Sequence, residues 1–224
     1  MKLHRLFINN ILDGFEVSIT EENYVHQVIK VLRLKIGDVL VLLDNAGHSR
    51  KAVIEKAAKQ SISCSLGEAV PSWKPKKEIT LCPSIIKKDK MEWLVQKATE
   101  LGVSRITPII SERTEKTGCD MRRLLAIARE ASEQSERLTL PIIDEPISLD
   151  DALKNLDGKK VALDIVAKKG EEIFDADVFF VGPEGGWGEE DKKLFEKYNV
   201  SRLSLGENVL RAETASVALL SKIM

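Results

Sequence analysis

Two short stretches of the chain carry the residue types that chemistry needs. Gly182-Pro183-Glu184-Gly185-Gly186 follows the apolar run Val178–Val181 and precedes a helical pattern over Gly188–Tyr198. Three glycines there let the backbone turn sharply and come close to a ligand, and the free N–H groups of a helix start can hold a polar or anionic group. The second stretch is Leu205-Gly206-Glu207-Asn208-Val209-Leu210-Arg211-Ala212-Glu213-Thr214-Ala215. A strand ends at Gly206 and a helix begins near Arg211, so Leu205, Val209 and Leu210 can line an aromatic ligand. Glu213 and Thr214 fall in the first helical turn. The helix dipole favours a carboxylate at that place, which by itself accounts for Glu213. It does not favour a cation, which marks Arg211 for another role. Neither nucleotide fingerprint, G-x-G-x-x-G or G-x-x-x-x-G-K-[ST], is present, which excludes dinucleotide dehydrogenases and P-loop NTPases.

The elements that must position these stretches can be read from periodicity. After the Pro-rich Pro71–Lys77, strand patterns over Ile79–Pro83, Val103–Ile110, Val161–Ile165, Val178–Val181 and Leu203–Leu205 alternate with helical ones. The helices are predicted over Lys88–Leu101, Asp120–Glu136, Gly188–Tyr198 and Ala212–Ile223, with Asp120 as a cap. Such alternation implies a mostly parallel sheet covered by helices, whose ligands sit at the carboxyl ends of the strands. Lys87-Lys88-Asp89-Lys90 lies between a strand and a helix, where its lysines could meet phosphates. Before Pro71 the pattern is mostly β, with strands over Leu3–Ile8, Val39–Leu43, His48–Glu55 and Ser61–Gly67 and one helix over Glu21–Leu32 capped by Thr20. This describes a small barrel with one helix.

The 224 residues allow one large domain or two small ones. With 43% hydrophobic and 31% charged residues, the chain is neither disordered nor collagenous. Its net charge of −1 is the sum of unequal parts: residues 1–77 hold 12 Lys and Arg against 8 Asp and Glu, and residues 78–224 hold 22 against 27. The sign change coincides with the proline segment, which places a front domain at 1–70, a linker at 71–77 and a second domain at 78–224. No window approaches the roughly 18 apolar residues of a membrane span, and the first residues do not read as a signal peptide. Cys64, Cys82 and Cys119 are odd in number and widely spaced, which favours neither a disulfide framework nor a zinc site. A reducing cytoplasm is the expected compartment.

In ordered pieces along nearly its whole length, the chain resembles the bacterial ribosomal RNA small subunit methyltransferase E family, within the SPOUT methyltransferases. His4-Arg5-Leu6-Phe7 is similar to the family's opening, and His26–Arg33 with Gly37-Asp38 to its barrel helix and next strand. Lys90–Val103, Glu130-Ala131-Ser132-Glu133-Gln134-Ser135, Gly182–Gly186 and Leu210–Ala215 follow in the family's order. The resemblance implies an α/β protein with an N-terminal PUA-like barrel that grips RNA and a C-terminal domain with a trefoil knot. It also implies a homodimer and S-adenosylmethionine as cofactor, bound by Gly182, Pro183, Glu184, Gly185 and Gly186 and by Leu205, Gly206, Val209, Leu210 and Thr214. A third knot segment should follow Val161–Ile165. The implied reaction methylates N3 of a uridine in 16S ribosomal RNA, with Arg211 and Glu213 as candidate catalytic residues and no metal. Arg5, Lys30, Arg33, Lys87 and Lys88 are the candidate RNA contacts. The chain departs from the family in being shorter between Arg113 and Arg122, in lacking a tryptophan around Leu124 and in carrying Glu136 where glycine is common. A transfer-RNA methyltransferase of the same superfamily and a non-catalytic ribosome assembly factor are the alternatives.

Overall fold

Period-two patterning builds the front of the chain. In the computed structural model, which describes residues 3–10, 12–75, 77–115, 117–167 and 175–224, five strands form one mixed sheet. They are β1 (His4–Phe7), β2 (Glu16–Ile19), β3 (Val39–Leu43), β4 (Ser49–Ala57) and β5 (Ile62–Ala69), in the order β1-β3-β4-β5-β2. β1 runs parallel to β3, and the other neighbours are antiparallel. Val17, Ile19, Ile62, Cys64 and Leu66 alternate into a core shared with Leu6, Leu40 and Ile54. The sequence reading places no strand at β2, because two apolar residues between Glu16 and Ser18 are too short a signal. The expected helix divides into α1 (Glu22–His26) and a π-helical turn, Gln27–Val31, closed by the Leu32 N–H on the Gln27 carbonyl. Glu21, not Thr20, occupies the N-cap, since the first turn closes on the Glu21 carbonyl.

A distant segment completes this unit. The chain divides into Met1–Lys74 with Ser132–Leu140, and Pro75–Ala131 with Pro141–Met224. Within the first unit, buried Glu133 accepts the Phe7 N–H at 3.1 Å and the Gln27 amide at 3.3 Å. Trp73 and the 136–138 backbone exchange hydrogen bonds, and the Leu140 N–H donates to Asn45 at 2.7 Å. The Arg137 side chain is enclosed beside the Trp73 ring, and burial pulls its pKa down to about 10, so it remains a cation at neutral pH. Arg5 is likewise spent inside the unit. Its side chain is only 8% exposed and its guanidinium is held by Glu136 at 2.9 Å and Ser72 at 3.1 Å. Divided by unit instead of at the linker, the charges are 11 basic against 10 acidic and 23 against 25.

The second unit is the expected parallel α/β layer. Its elements are β6 (Thr80–Pro83), α2 (Lys88–Glu100), β7 (Arg105–Ile106), β8 (Ile109–Ile110), α3 (Met121–Gln134, whose last residues count with the first unit), β9 (Ile142–Ile143), β10 (Ile147–Ser148), α4 (Leu149–Asn155), β11 (Lys160–Leu163), β12 (Val178–Val181), α5 (Glu189–Lys197), β13 (Ser201–Leu203) and α6 (Ala212–Ile223). Six strands pair in parallel in the order β13-β11-β12-β6-β7-β9. The run Val103–Ile110, expected as one strand, breaks at Thr107-Pro108, where proline brings no N–H to a ladder. Asp120 does cap α3, accepting the Arg123 N–H at 3.2 Å. The last strand ends two residues earlier than expected, which frees Leu205 for the loop. Because β13 returns to the far side of β11, the loops after β11, β12 and β13 leave the same edge of the sheet side by side. Among the described residues no helix is long and apolar enough to cross a membrane.

Replacing Glu133 by alanine should leave the Phe7 N–H without its acceptor in a buried place. The expected cost is about 2 kcal/mol. Hydrogen exchange at Phe7 and along β3 should accelerate by roughly thirty-fold, while exchange in β11 and β12 stays at the wild-type rate.

Candidate active site

The glycine run after β12 is a tight turn braced on both sides. The Gly186 N–H donates to the Pro183 carbonyl at 2.9 Å, and Gly186 has φ of 67°, the left-handed region where a side chain is strained. Gly182 meets the indole of Trp187: a Cβ on Gly182 would stand 3.1 Å from the ring. That indole is buried, edge-on to Phe195 with centroids 4.8 Å apart, and its Nε1–H donates to the Leu163 carbonyl at 2.8 Å. The turn after β12 is thereby tied to the end of β11. On the other side, Arg113 donates to the Gly185 carbonyl at 2.7 Å. The start of α5 is held by Asp191, which accepts from the N–H groups of Gly188 and Glu112, and by the Glu112 carboxylate, which accepts the Glu190 N–H at 2.8 Å.

Three strand-end loops line a cavity that opens to solvent. Leu163, Asp164 and Ile165 come from β11, Val181 to Gly182, Pro183, Glu184, Gly186 and Trp187 from β12, and Leu203 to Gly206 with Asn208, Val209 and Leu210 from β13. Ala212 and Ala215 of α6 close it. Of the residues singled out for a cofactor, Gly182, Pro183, Glu184, Gly186, Leu205, Gly206, Val209 and Leu210 therefore meet at one place. Gly185 faces a neighbouring hollow, and Thr214 faces another with Arg211 and Glu213. The loop after β11, where the third knot segment is expected, supplies Leu163 to Ile165, while its residues 168–174 lie outside those described. Trp187, Asp164 and Asn208 escaped the sequence reading. Trp187 stands directly after the glycine run, which was the available signal. Asp164 is held by Arg202 at 3.0 Å and by the Val166 N–H, so it stiffens the loop it belongs to.

The charged candidates are distributed more widely. Arg211 is exposed at the N-cap of α6. Glu213, in the first turn, is buried and pairs with Lys90 at 3.2 Å. A helix start and a lysine thus both stabilise its carboxylate. Lys87 is exposed at the N-cap of α2, and exposed Lys88 lies 4.0 Å from Glu92. In the first unit, Lys30 and Arg33 are exposed, Arg33 with φ of 55° just past the π-helical turn.

The cavity lies at the carboxyl ends of parallel strands, where open α/β sheets bind their ligands. Apolar walls from Leu205, Val209 and Leu210 suit a flat heteroaromatic ring. Loop N–H and C=O groups can read the ring's polar edge, and Glu184 gives the site an acidic side for a cationic group. This fits the aromatic, hydroxylated and cationic parts of S-adenosylmethionine.

Comparison with known proteins agrees with that geometry. Residues 73–224 match a family model described as an RNA methyltransferase domain, and residues 25–67 match an RNA methyltransferase PUA domain. Ribosomal RNA small subunit methyltransferase E of Rickettsia conorii is 34% identical over 233 residues, spanning 100% of this chain and 96% of the relative. The Bacillus subtilis protein of the same name is 29% identical over 92% of this chain and 88% of its own. The crystal structure of ribosomal RNA small subunit methyltransferase E from Neisseria gonorrhoeae bound to S-adenosylmethionine superposes with a TM-score of 0.90 at 29% identity, covering 99% and 96% of the two chains. With its second unit matched by the methyltransferase model and its whole length by these relatives, the chain belongs to the ribosomal RNA small subunit methyltransferase E family.

Proposed function

We propose that this protein transfers a methyl group from S-adenosylmethionine to N3 of a uridine in 16S ribosomal RNA, as a homodimer in the cytoplasm. The observation that carries the reading is the cavity where the glycine turn and the Leu205–Leu210 loop meet beside β11, within a chain whose relatives are named for methylating small-subunit ribosomal RNA. Leu205, Val209 and Leu210 would hold the cofactor's ring, and the Gly182–Gly186 turn and Gly206 its polar groups. When bound there, S-adenosylmethionine supplies a methyl group on a positively charged sulfur, already electrophilic.

The acceptor is the harder partner. Uridine N3 bears a proton and becomes nucleophilic only as that proton leaves. The negative charge then spreads onto the two flanking carbonyl oxygens. A cation placed there stabilises the transition state more than the ground state. Arg211 suits this role, because it is exposed beside the cofactor loop. Its surroundings also suit a second copy of the chain, since Trp93 is 43% exposed and Val209 82% exposed next to it. Arg211 would act on the base across that interface. Glu213 serves by holding Lys90 and the start of α6 rather than by taking a proton. The base must leave its stack to reach a cofactor in the cavity. Lys30 and Arg33 on the barrel, with Lys88 at the start of α2, would hold the surrounding phosphates, and Lys87 beside it would be a further RNA contact.

Incubation with labelled S-adenosylmethionine and small ribosomal particles, naked 16S RNA or transfer RNA should label one uridine of 16S RNA at N3. Label confined to transfer RNA would make the protein a transfer-RNA enzyme, and no label with retained RNA binding would make it an assembly factor. Arg211→Ala should bind the cofactor within about threefold of wild type and lose roughly a hundred-fold or more in methyl transfer. Full transfer by that variant would remove Arg211 from the mechanism.

Deleting the front domain would strip Glu133 of Phe7 and Gln27 and Glu136 of Arg5, so charge reversal is the cleaner probe of RNA grip. Lys30→Glu with Arg33→Glu should weaken RNA binding and flatten its salt dependence by about one unit of slope per charge, leaving cofactor affinity intact.

A further inference from the structure

A second hollow, of about 910 Å³, lies against the glycine turn and shares Pro183 and Glu184 with the cofactor cavity. Ile85, Ile86 and Lys87 reach it from the loop between β6 and α2, and Arg113 from the segment after β8. These two pieces are braced together. The Ser111–Thr114 turn is closed by the Thr114 N–H on the Ser111 carbonyl at 3.0 Å, and the Ser111 hydroxyl lies 3.0 Å from that of Ser84, both buried. Arg113 is therefore carried on a fixed turn. Among the described residues it makes one hydrogen bond, through Nη1 to Gly185, which leaves further N–H groups of its fork for another acceptor.

Resting on the function proposed above, we infer that this hollow seats the acceptor uracil and that Glu184 takes its N3 proton. The Watson–Crick edge of uracil presents an acceptor, a donor and an acceptor. Its complement is a carboxylate flanked by two donors, and the hollow offers Glu184 with Lys87 and Arg113. Ile85, Ile86 and Pro183 supply apolar surface for the ring. Glu115 also borders the hollow, but Glu184 alone of the two borders the cofactor cavity as well. In the step itself, N3 gives its proton to the Glu184 carboxylate and takes the methyl group. The N–C bond forms as the S–C bond breaks, and the sulfonium becomes a neutral thioether. Lys87 and Arg113 donate to the two carbonyl oxygens and fix the base, Arg211 from the second copy meets the charge that develops on them, and exposed Glu184 returns its proton to solvent.

The test compares Glu184→Gln, Glu115→Gln and Lys87→Ala in the full-length protein. Cofactor affinity is measured by calorimetry, binding of 16S RNA fragments with uridine or cytidine at the target by anisotropy, and transfer in a single turnover across pH. Glu184→Gln is expected to weaken cofactor binding only in part, since Glu184 also borders the cofactor cavity, and to transfer about a hundred-fold more slowly when saturated with cofactor at neutral pH. Its rate should recover as rising pH ionises N3 without help. Glu115→Gln should behave as wild type, and the wild-type preference for uridine over cytidine, about tenfold, should shrink in Lys87→Ala. A Glu184→Gln enzyme as fast as wild type overturns the inference. So does one whose loss of transfer is matched by an equal loss of cofactor affinity, because Glu184 would then only bind the cofactor. A wild-type enzyme that methylates no uridine overturns the parent reading instead, a result visible before any variant is made.

Discussion

The hydrogen bond from the Trp187 indole to the Leu163 carbonyl joins two neighbouring strand ends at the point where the cavity opens. A parallel sheet delivers its loops to one edge, but it does not hold them at a fixed distance. Here one buried side chain spans the gap. Its ring lies against Gly182, where any larger residue would displace it, and against Phe195 of α5. The turn that follows inherits its place from that contact. Pro183, Glu184 and Gly186 line the cavity, and Gly185 is drawn the other way by Arg113. The glycine turn is thus a partition with a ligand-sized space on each face, and its geometry is decided by residues outside the glycine run. A methyl donor and its acceptor need this arrangement, since two reactants gain most when both are held before they meet.

The polar network of the first unit shows a different use of charge. Glu133 and Glu136 lie at the end of the long helix expected over Asp120–Glu136, and Arg137 follows it. In the structure Glu133 and Arg137 are buried and Glu136 clasps Arg5. A carboxylate can be enclosed this way because donors surround it: a backbone N–H from β1 and an amide from Gln27. The arrangement makes residues more than a hundred positions apart part of one fold, so the barrel cannot be completed by its own contiguous segment. It also changes what the Glu-Gln-Ser hallmark means. Its acidic residue holds the first unit together and is not presented to substrate.

Most of the parallel layer was legible in the sequence. Continuous apolar runs such as Val178–Val181 and the helical period of Lys88–Glu100 come from burial on two faces and on one, and both patterns survive without any alignment. The glycine turn was legible because it needs an unusual backbone. What sequence could not convey was partnership at long range. Trp187 gives no sign that its indole faces Leu163, nor Arg113 that it meets Gly185, and both contacts bridge separate strand ends. Arg5 likewise gives no sign that Glu136, far along the chain, lies beside it. Strand β2 was missed because its pairing with β5, not its composition, makes it a strand.

Charge is the property whose meaning moved most. Split at the linker, the front of the chain holds four more basic residues than acidic ones, which looks like an RNA-binding half. Split as the chain folds, Lys76 and Lys77 pass to the second unit, Glu133, Glu136 and Arg137 join the first, and the two units are nearly neutral. Neither unit then has the net field that draws a protein onto any polyanion. Exposed cations stand in local sets instead, such as Lys30 with Arg33 and Lys87 with Lys88. Weak general attraction suits an enzyme with one target base among many. Phosphate contacts position a strand but carry no sequence, so an enzyme that relied on them would sit anywhere along the RNA. Discrimination needs groups that read the base itself, because only those are left unpaired by a wrong base.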